Sequence, residues 1–431
     1  MRYLPIDNQL FIHNRQRLAN LLKTKSLVVV NANDIMPTNA DGTMTFRQNN
    51  DLFYLTGVDQ EETCLVLFPD HPDPKFREAL FLRETSELIE IWEGHKLTKA
   101  EAEQVTGISQ KQIYWTHQFE QVFMQMVFEA EHIYLNTNEH TRAGVQVQTR
   151  DARYIDEFRQ KYPLHKLERL APLMHYLRAI KQPQELPLIQ TAIDITDKMF
   201  RRLLGFIKPG VWEYEIEAEM MHEFIKNRSR GAAYSPIIAS GANACVLHYI
   251  DNSQQCQDGD VILLDIGAEY ANYNADMTRS VPVNGRFTKR QRAVYDAVLR
   301  VMKEATQMLK PGNLWDDYHK EVGKVMESEL IGLGLLDRAD VDKQDPDAPL
   351  YKKYFMHGTS HFLGLDVHDV GNKYRKMEPG MVFTVEPGIY IPKEKLGIRL
   401  ENNVVLTESG NIDLMANIPL EAEEIEEFMN K

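Results

Sequence analysis

The sequence predicts two domains, an α/β domain at the amino terminus and a second, α+β domain built from two related halves. The chain has 431 residues, which is more than one hydrophobic core usually supports. Short apolar runs alternate with helix-forming stretches in the first part of the chain, and a pair of helices joined by a turn recurs in the second part. We place the domains at residues 1–172 and 173–431, with the transition between Ala171 and Arg178.

The amino-terminal domain is predicted from four apolar runs, each of a length typical of a buried strand. Helix-forming stretches lie around them, among them NRQRLANLLK (14–23) and TKAEAEQVTG (98–107). This alternation indicates an α/β domain. The four runs are SLVVVNAND (26–34), ETCLVLFPD (62–70), EALFLRE (78–84) and HIYLN (132–136).

The second domain contains a weak internal repeat. The segments FIKPGVWEYEIEAEMMHEFI (206–225) and MLKPGNLWDDYHKEVGKVMESEL (308–330) share a helix end, a KPG turn, an acidic and aromatic start, and a second amphipathic helix. A single KPG turn is a common way for a helix to end. Two of them in matching contexts predict a duplicated half-domain.

Composition and charge exclude several classes of partner. Lys and Arg total 49 against 63 Asp and Glu, and the net charge of −14 argues against nucleic acid or an anionic membrane as the main partner. The amino terminus lacks the apolar core of a signal peptide, and we find no run of the ~18 apolar residues that a membrane span requires. The three cysteines are odd in number and form no CxxC pair, so we expect reduced thiols and a cytoplasmic location.

Two stretches place acidic residues in strands that are otherwise apolar. In VILLDIGAEYANYNADMTRSV (261–281), a turn centred on Tyr270 and Ala271 would set Asp265 opposite Asp276,. In VFTVEPGIYIPKEKLGIRLENNVVL (382–406), a turn at residues 392–395 would set Glu386 opposite Glu401,. Buried carboxylates must be paired, protonated or bound to a metal. The alternative is that each pair is a solvated hairpin edge.

The stretch HGTSHFLGLDVHDVG (357–371) offers nitrogen ligands to the same carboxylates. Its glycines make a continuous helix unfavourable, so we predict loop and strand,. Four carboxylates and one of these histidines could hold two divalent ions. The oxygen-rich ligand set favours Mn, although Co, Zn or Fe(II) would also fit. Such a pair of ions suits hydrolysis of an amide bond.

The ordered set DIGAEYANYNAD, HGTSHFLGLDVHD, VEPGIY and RLEN resembles the aminopeptidase P and prolidase family of dinuclear metallopeptidases. The segments FRQNNDLFYLTG (46–57) and LRAIKQPQEL (177–186) extend the resemblance through most of the chain. It implies a creatinase-like amino-terminal domain and a catalytic domain with the pita-bread fold, including its pseudo-twofold repeat.

The resemblance also implies roles for individual residues. In the family pattern, Asp276 and Glu401 bridge the two ions, Asp265 serves one ion, and His361 and Glu386 serve the other, with Glu386 also moving a proton. The resemblance implies that His248 and His368 position the substrate and stabilise the tetrahedral intermediate,. His357 corresponds to a histidine that lines the pocket, and Arg399 to an arginine that orients the bridging ligands or the substrate. Tyr390 is a weaker candidate, for which the alternative is a purely structural place in the core.

The substrate implied by the resemblance is a peptide with proline at its second position. Two enzymatic readings stay open: removal of the first residue from longer peptides, or cleavage of Xaa-Pro dipeptides alone. A third alternative is a pita-bread domain that binds without catalysis, or a creatinase-like enzyme that uses no metal. All five ligand positions hold ligand-type residues, which speaks against that alternative.

Two further features bear on assembly and access. Trp92 resembles an aromatic residue that reaches a neighbouring subunit's active site in some relatives; the alternative is an exposed Trp that serves only as a local anchor,. The family is commonly dimeric or tetrameric, so the resemblance implies a homodimer or homotetramer. The polar segment 337–356, just before the histidine stretch, could be a loop that borders the substrate entrance or a simple surface loop,.

Overall fold

The computed structural model describes residues 3–144 and 146–431. These residues divide into two compact units, Tyr3–Arg178 and Ala179–Lys431. None of the helices in the described ranges is long and apolar enough to cross a membrane.

The amino-terminal unit is built on one mixed sheet of six strands in the order β4-β3-β2-β1-β5-β6. Strand β1 pairs in parallel with β5 and antiparallel with β2. The four predicted runs are confirmed as strands, whereas β4 and β6 were not predicted. The strands are β1 Ser26–Asn31, β2 Cys64–Leu67, β3 Glu78–Leu82, β4 Ile113–Trp115, β5 His132–Leu135 and β6 Lys166–Arg169.

Helices cover this sheet and begin and end at the residues that the sequence suggests. In α4, Thr98 and Glu101 form a reciprocal capping box, and Gly107 ends the helix in the left-handed conformation at φ 70°,. The helices are α1 Gln9–Ala19, α2 Asn50–Thr56, α3 Glu87–Glu93, α4 Lys99–Thr106, α5 Phe119–Val127, α6 Arg150–Lys161 and α7 Ala171–Ala179. The last of them, α7, ends at the boundary between the two units.

The second unit repeats one arrangement of helices, as the two KPG segments predict. Helices α8 and α9 flank the first KPG turn, and α10 and α11 flank the second. The glycines of the two turns, Gly210 and Gly312, have almost the same left-handed φ, 92° and 90°. Glycine is needed there because a side chain disfavours that conformation. The helices are α8 Leu186–Leu204, α9 Glu213–Lys226, α10 Lys289–Met308, α11 Trp315–Gly332, α12 Arg338–Val341 and α13 Ala422–Met429.

The strands of the second unit form two three-stranded sheets, β11-β8-β7 and β12-β15-β16, and two hairpins, β9-β10 and β13-β14. Most of these residues are buried, so the acidic residues among them lie in an apolar setting. The strands are β7 Ile237–Ser240, β8 Val261–Asp265, β9 Glu269–Tyr270, β10 Tyr273–Asn274, β11 Thr278–Pro282, β12 Val382–Val385, β13 Gly388–Ile391, β14 Leu396–Arg399, β15 Asn402–Thr407 and β16 Gly410–Asp413.

The first predicted hairpin register is wrong by two residues. The turn consists of Ala271 and Asn272, both left-handed at φ 52° and 66°, which is the geometry of a tight two-residue hairpin turn. Asp265 therefore lies opposite Thr278 rather than opposite Asp276. The sequence placed the centre of this turn one residue too early.

The second predicted register is confirmed by the strands on both sides of it. Val385 lies opposite Asn402, and Gly388 lies opposite Arg399. Glu386 and Glu401 therefore face each other in the short gap between these two ladders. Lys395 closes the turn in the left-handed conformation at φ 51°.

Candidate metal centre

Asp265 and Asp276 converge on one hydroxyl although they are not directly opposite each other. The Tyr234 hydroxyl lies 2.7 Å from Asp265 Oδ1 and 2.6 Å from Asp276 Oδ1. The backbone of Asp276 is fixed by Asn403, whose side chain accepts from its N–H at 3.1 Å and donates to its carbonyl at 2.6 Å. The carboxylates at the end of β8 and before β11 therefore share one site.

Glu401 connects the two halves of the second unit. Its N–H donates to the Thr278 carbonyl at 3.0 Å, and its Oε2 accepts from the Thr278 hydroxyl at 2.7 Å. Thr278 belongs to β11 in the first half, whereas Glu401 lies between β14 and β15 in the second half. The carboxylates of both halves are thereby brought to one place.

His361 points a ring nitrogen at these carboxylates. Its Nδ1 lies 2.9 Å from the Phe362 carbonyl and must donate there, since a carbonyl only accepts,. In the neutral ring, the lone pair is then on Nε2, which lies 3.3 Å from Asp276 Oδ2 and 3.5 Å from Glu386 Oε1. A metal-binding histidine is usually oriented in this way, through its second ring nitrogen.

The buried carboxylates of the cluster would be stabilised in their charged form by a cation. Burial raises the pKa of Asp276 and of Glu401 above their ordinary values, and it raises the pKa of Glu386 to about 7. The charges of the neighbouring carboxylates push in the same direction. Arg399 is paired with Asp265. The other three carboxylates lie together where a bound cation would hold them in the ionised form.

The ligand atoms themselves fit a metal ion. Within the described ranges, Asp276, His361 and Glu401 each offer one ligand atom, and these atoms lie within 4.8 Å of one another. Glu401 Oε1 is buried and finds no hydrogen-bond partner among the described residues. Buried oxygens are rarely left in that state. A divalent cation at this point would satisfy that oxygen.

A chain of hydrogen bonds leads from Arg399 to His357. Arg399 Nη1 donates to the Tyr390 hydroxyl at 2.8 Å, and that hydroxyl lies 2.8 Å from His357 Nε2. Since His357 Nδ1 donates to the Gly358 carbonyl at 2.9 Å, its Nε2 accepts from Tyr390,. Burial lowers the pKa of His357 to about 4, with smaller contributions from Arg399 and His248. His357 is therefore neutral at pH 7.

The structure brings His368 directly onto the cluster and leaves His248 at its edge. The rings of His361 and His368 stack with centroids 4.1 Å apart and planes 9° apart. His248 is exposed in the loop that follows Gly241–Cys245, close enough for its charge to affect His357. Trp92 lies in α3 of the other unit and is 81% exposed.

Part of the 337–356 segment contacts the site. The N–H of Tyr390 donates to the Tyr354 carbonyl at 2.9 Å, and the ring of Phe355 meets His357 edge-on with centroids 4.9 Å apart. The segment also contains α12 and a short 3₁₀ turn, Leu350–Lys353. Its carboxyl end is thus packed structure rather than a free loop.

Three residues that hold the cluster were not singled out from the sequence. Thr278 and Asn403 lie within or beside the quoted motifs, so their alternation with Asp276 and Glu401 could have drawn attention to them. Tyr234 is 31 residues from Asp265 and 42 from Asp276 along the chain. No local pattern marks it, because only the tertiary fold brings it close.

Comparison with known proteins settles the family. Residues 187–408 match the model of metallopeptidase family M24, and residues 11–134 match that of the aminopeptidase P amino-terminal domain. The chain belongs to metallopeptidase family M24. Its pita-bread catalytic domain and creatinase-like amino-terminal domain are thereby confirmed.

Relatives of this M24 metallopeptidase share its full length. The Xaa-Pro aminopeptidase of Escherichia coli (strain K12) is 35% identical over 438 residues, with 98% of each chain covered. Solved structures of E. coli aminopeptidase P include one with the inhibitor Pro-Leu (33% identity, TM-score 0.86) and a Zn-substituted form with product (34% identity, TM-score 0.86). Each covers 99% of both chains. The M24 metallopeptidase described here is a hydrolase of the Xaa-Pro aminopeptidase type.

Proposed function

We propose that this enzyme removes the amino-terminal residue from peptides whose second residue is proline, and that two divalent metal ions in the catalytic domain, residues 173–431, support the reaction. The observation that carries the proposal is the convergence of Asp276, His361 and Glu401 around a buried carboxylate oxygen without a partner among the described residues. An additional observation is that Asp265 and Glu386 lie beside this group.

The residues that would hold the ions are Asp265, Asp276, His361, Glu386 and Glu401. When bound, such ions polarise the scissile carbonyl and lower the pKa of the attacking water. The oxygen-rich ligand set favours Mn, and the Zn-substituted relative indicates that this type of site accepts other ions.

The protein side chains move protons and orient the peptide. Glu386 lies in the cluster, 3.5 Å from His361 Nε2, where its carboxylate would take a proton from the attacking water and pass it to the leaving amine,. Neutral His357 accepts a hydrogen bond from the Tyr390 hydroxyl at 2.8 Å, and both would line the peptide site. His248 and His368 contact the substrate, and Arg399 holds Asp265 and Tyr390 in place.

We further propose that the enzyme is a cytoplasmic homodimer or homotetramer. The exposed apolar face of α3, with Leu88, Ile91 and Trp92 exposed by 65%, 78% and 81%, supports an interface there,. All three cysteines are free thiols, in keeping with a reducing compartment,. Analytical ultracentrifugation of the wild type and of Trp92→Ala tests the assembly: loss of the oligomer in the variant supports the interface.

The activity is tested with protein stripped by a chelator and reloaded with Mn. It is incubated with an Xaa-Pro dipeptide and a matched Xaa-Pro-Xaa tripeptide, and the products are identified by mass. Cleavage of the tripeptide at its first bond is the expected result. Cleavage of the dipeptide alone would make the enzyme a dipeptidase, and no metal-dependent cleavage of either peptide would refute the proposal.

The metal ligands are tested by substitution. We expect Asp276→Asn to lose metal and activity while the circular dichroism spectrum of the wild type is retained. Asp347→Asn, at an exposed position of the 337–356 segment, is the matched control and should retain both. Full turnover by the Asp276→Asn protein would rule out this ligand set.

A further inference from the structure

A buried carboxylate outside the metal cluster holds the loop that carries His248. Glu213 is the first residue of α9 and is fully buried. Its Oε1 accepts from the Ser240 N–H and the Ser240 hydroxyl, both at 2.7 Å. Its Oε2 accepts from the Tyr249 hydroxyl at 2.8 Å and from the Gln254 N–H at 2.9 Å. One carboxylate thus receives four hydrogen bonds.

These contacts close the loop at its base. Ser240 ends β7 just before the loop, and Gln254 follows it, so the two ends of the loop bind the same carboxylate. The Glu213 N–H also donates to the Gln254 carbonyl at 2.9 Å. Tyr249 comes from within the loop, directly after His248. Glu213 therefore fixes residues 241–253 at both ends and at one internal point.

The loop faces the active site on one side and solvent on the other. Cys245, Leu247 and Tyr249 pack against a buried cluster that includes Tyr390, the residue that donates to His357. Val246 and Ile250 are 54% and 57% exposed, and His248 between them is also exposed. His248, flanked by two apolar side chains, thus lies on the exposed side of a loop whose other side packs against Tyr390.

The carboxylate is chemically specific for this role. Two of its four donors are backbone N–H groups, which cannot accept a hydrogen bond. An amide in its place would turn an NH₂ group toward at least one of them, so a glutamine of the same shape cannot make the same contacts. Charge-assisted hydrogen bonds are also stronger than neutral ones.

We propose that Glu213 is a positioning residue for substrate binding: it holds the 241–253 loop so that His248 and its apolar neighbours contact the peptide. The inference rests on the proposed function, in which His248 contacts the substrate. Because none of the metal ligands lies in this loop, loosening it should weaken peptide binding and leave metal affinity unchanged. A role confined to overall stability would not produce that combination.

The test uses three variants of the full-length, Mn-loaded enzyme. Glu213→Gln removes the charge, Tyr249→Phe removes one donor with little effect on shape, and Tyr214→Phe is the matched control on the exposed side of the same helix. For Glu213→Gln we expect KM for an Xaa-Pro-Xaa peptide to rise about tenfold. Tyr249→Phe should show a smaller rise, and Tyr214→Phe should match the wild type.

Two further measurements separate positioning from stability. The Kd for Mn should equal that of the wild type in all three variants, and hydrogen exchange should accelerate within 241–253 and not in β8 or β12. A KM unchanged by both Glu213→Gln and Tyr249→Phe would overturn the inference, as would a rise in KM matched by weaker Mn binding. Tyr249→Phe decides the question if Glu213→Gln does not fold.

The His248→Ala variant separates failure of the proposed function from failure of the roles assigned to the loop and to Glu213. A wild type that cleaves no Xaa-Pro peptide refutes the proposed function itself. An unchanged KM in His248→Ala, with an active wild type, overturns the role of the loop. A raised KM in His248→Ala together with wild-type kinetics in Glu213→Gln overturns only the assignment of Glu213.

Discussion

Replacing Lys181 by Met should destabilise the catalytic unit by about 3–5 kcal/mol, the usual result of removing one partner from a buried ion pair. Lys181 Nζ lies 2.9 Å from Asp369 Oδ2, and both side chains are 1% exposed. The pair is closely confined, since a Cβ on Gly364 would lie 2.3 Å from Asp369 Oδ2 and 2.7 Å from Lys181 Nζ. The ion pair is therefore packed directly against the backbone of Gly364.

The same substitution should also weaken metal binding. The Asp369 N–H donates to the Phe362 carbonyl at 2.9 Å, and the same carbonyl accepts from His361 Nδ1. A shift of Asp369 would disturb the acceptor that orients His361. Disturbing a group that orients a metal-binding histidine typically costs 10- to 100-fold in metal affinity.

Urea denaturation of the metal-free protein and a Mn titration measure the two effects. The double variant Lys181→Met with Asp369→Leu removes both charges and should recover most of the lost stability, because an apolar pair of similar volume is often neutral. Lys352→Met, at an exposed position, is the control. A loss below about 1 kcal/mol in Lys181→Met, or strictly additive effects in the double variant, would refute the reasoning.

Three other predictions concern pH, packing and ligand orientation. Burial raises the pKa of Asp151 to about 6, so between about pH 4 and pH 6 the folded state keeps a proton that the unfolded state has lost, and the stability of the wild type should fall as the pH rises through this range. The midpoint temperature of thermal denaturation should change less with pH in Asp151→Asn than in the wild type, and an equal pH dependence in the two proteins would contradict the assignment. Gly267→Ala should cost about 1–3 kcal/mol or more, because its Cβ would lie 1.9 Å from the Ala275 carbonyl oxygen; an unchanged midpoint in urea would exclude this close approach. Thr278→Val removes the hydroxyl that binds Glu401 and should raise the Kd for Mn about 10- to 100-fold, whereas wild-type Mn affinity would show that the hydroxyl does not orient the ligand.

Elements with a strong local pattern could be predicted, and elements without one could not. β1, β2, β3 and β5 are apolar runs, and all four are found as strands. β6 has the sequence KLER and is largely exposed at the edge of the sheet, so it carries no hydrophobic signal. Edge strands of this polar kind are common, and only the neighbouring strand defines them.

The two hairpins differ in how firmly the sequence fixes their turns. Pro392 sets one end of the second turn and predicts the register that faces Glu386 with Glu401 correctly,. The first hairpin turns at Ala271 and Asn272, within the run EYANYNAD, where several polar residues tolerate a turn. The predicted register was wrong by two residues because this turn contains no proline or glycine that would identify its position.

Contacts between distant parts of the chain account for most of what the sequence could not supply. The motifs identify ligand-type residues in order, but Tyr234, Asn403 and Lys181 reach the site from positions far from their partners in sequence. A single sequence carries no information on such pairings. Tyr234 pairs with Asp276 within the first half, whereas Asn403 reaches Asp276 from the second, so these pairings depend on tertiary packing that only the folded chain reveals.

The bond between Thr278 and Glu401 has a consequence for how such a site could have arisen. Each half of the second unit supplies an incomplete set of the proposed ligands, Asp265 and Asp276 from one and His361, Glu386 and Glu401 from the other. A chain with one half alone would need a partner that carries the other half to complete the centre, and occupancy would then depend on protein concentration. Joining the halves in one polypeptide makes their encounter intramolecular, so a fully formed centre is available even when the protein is scarce.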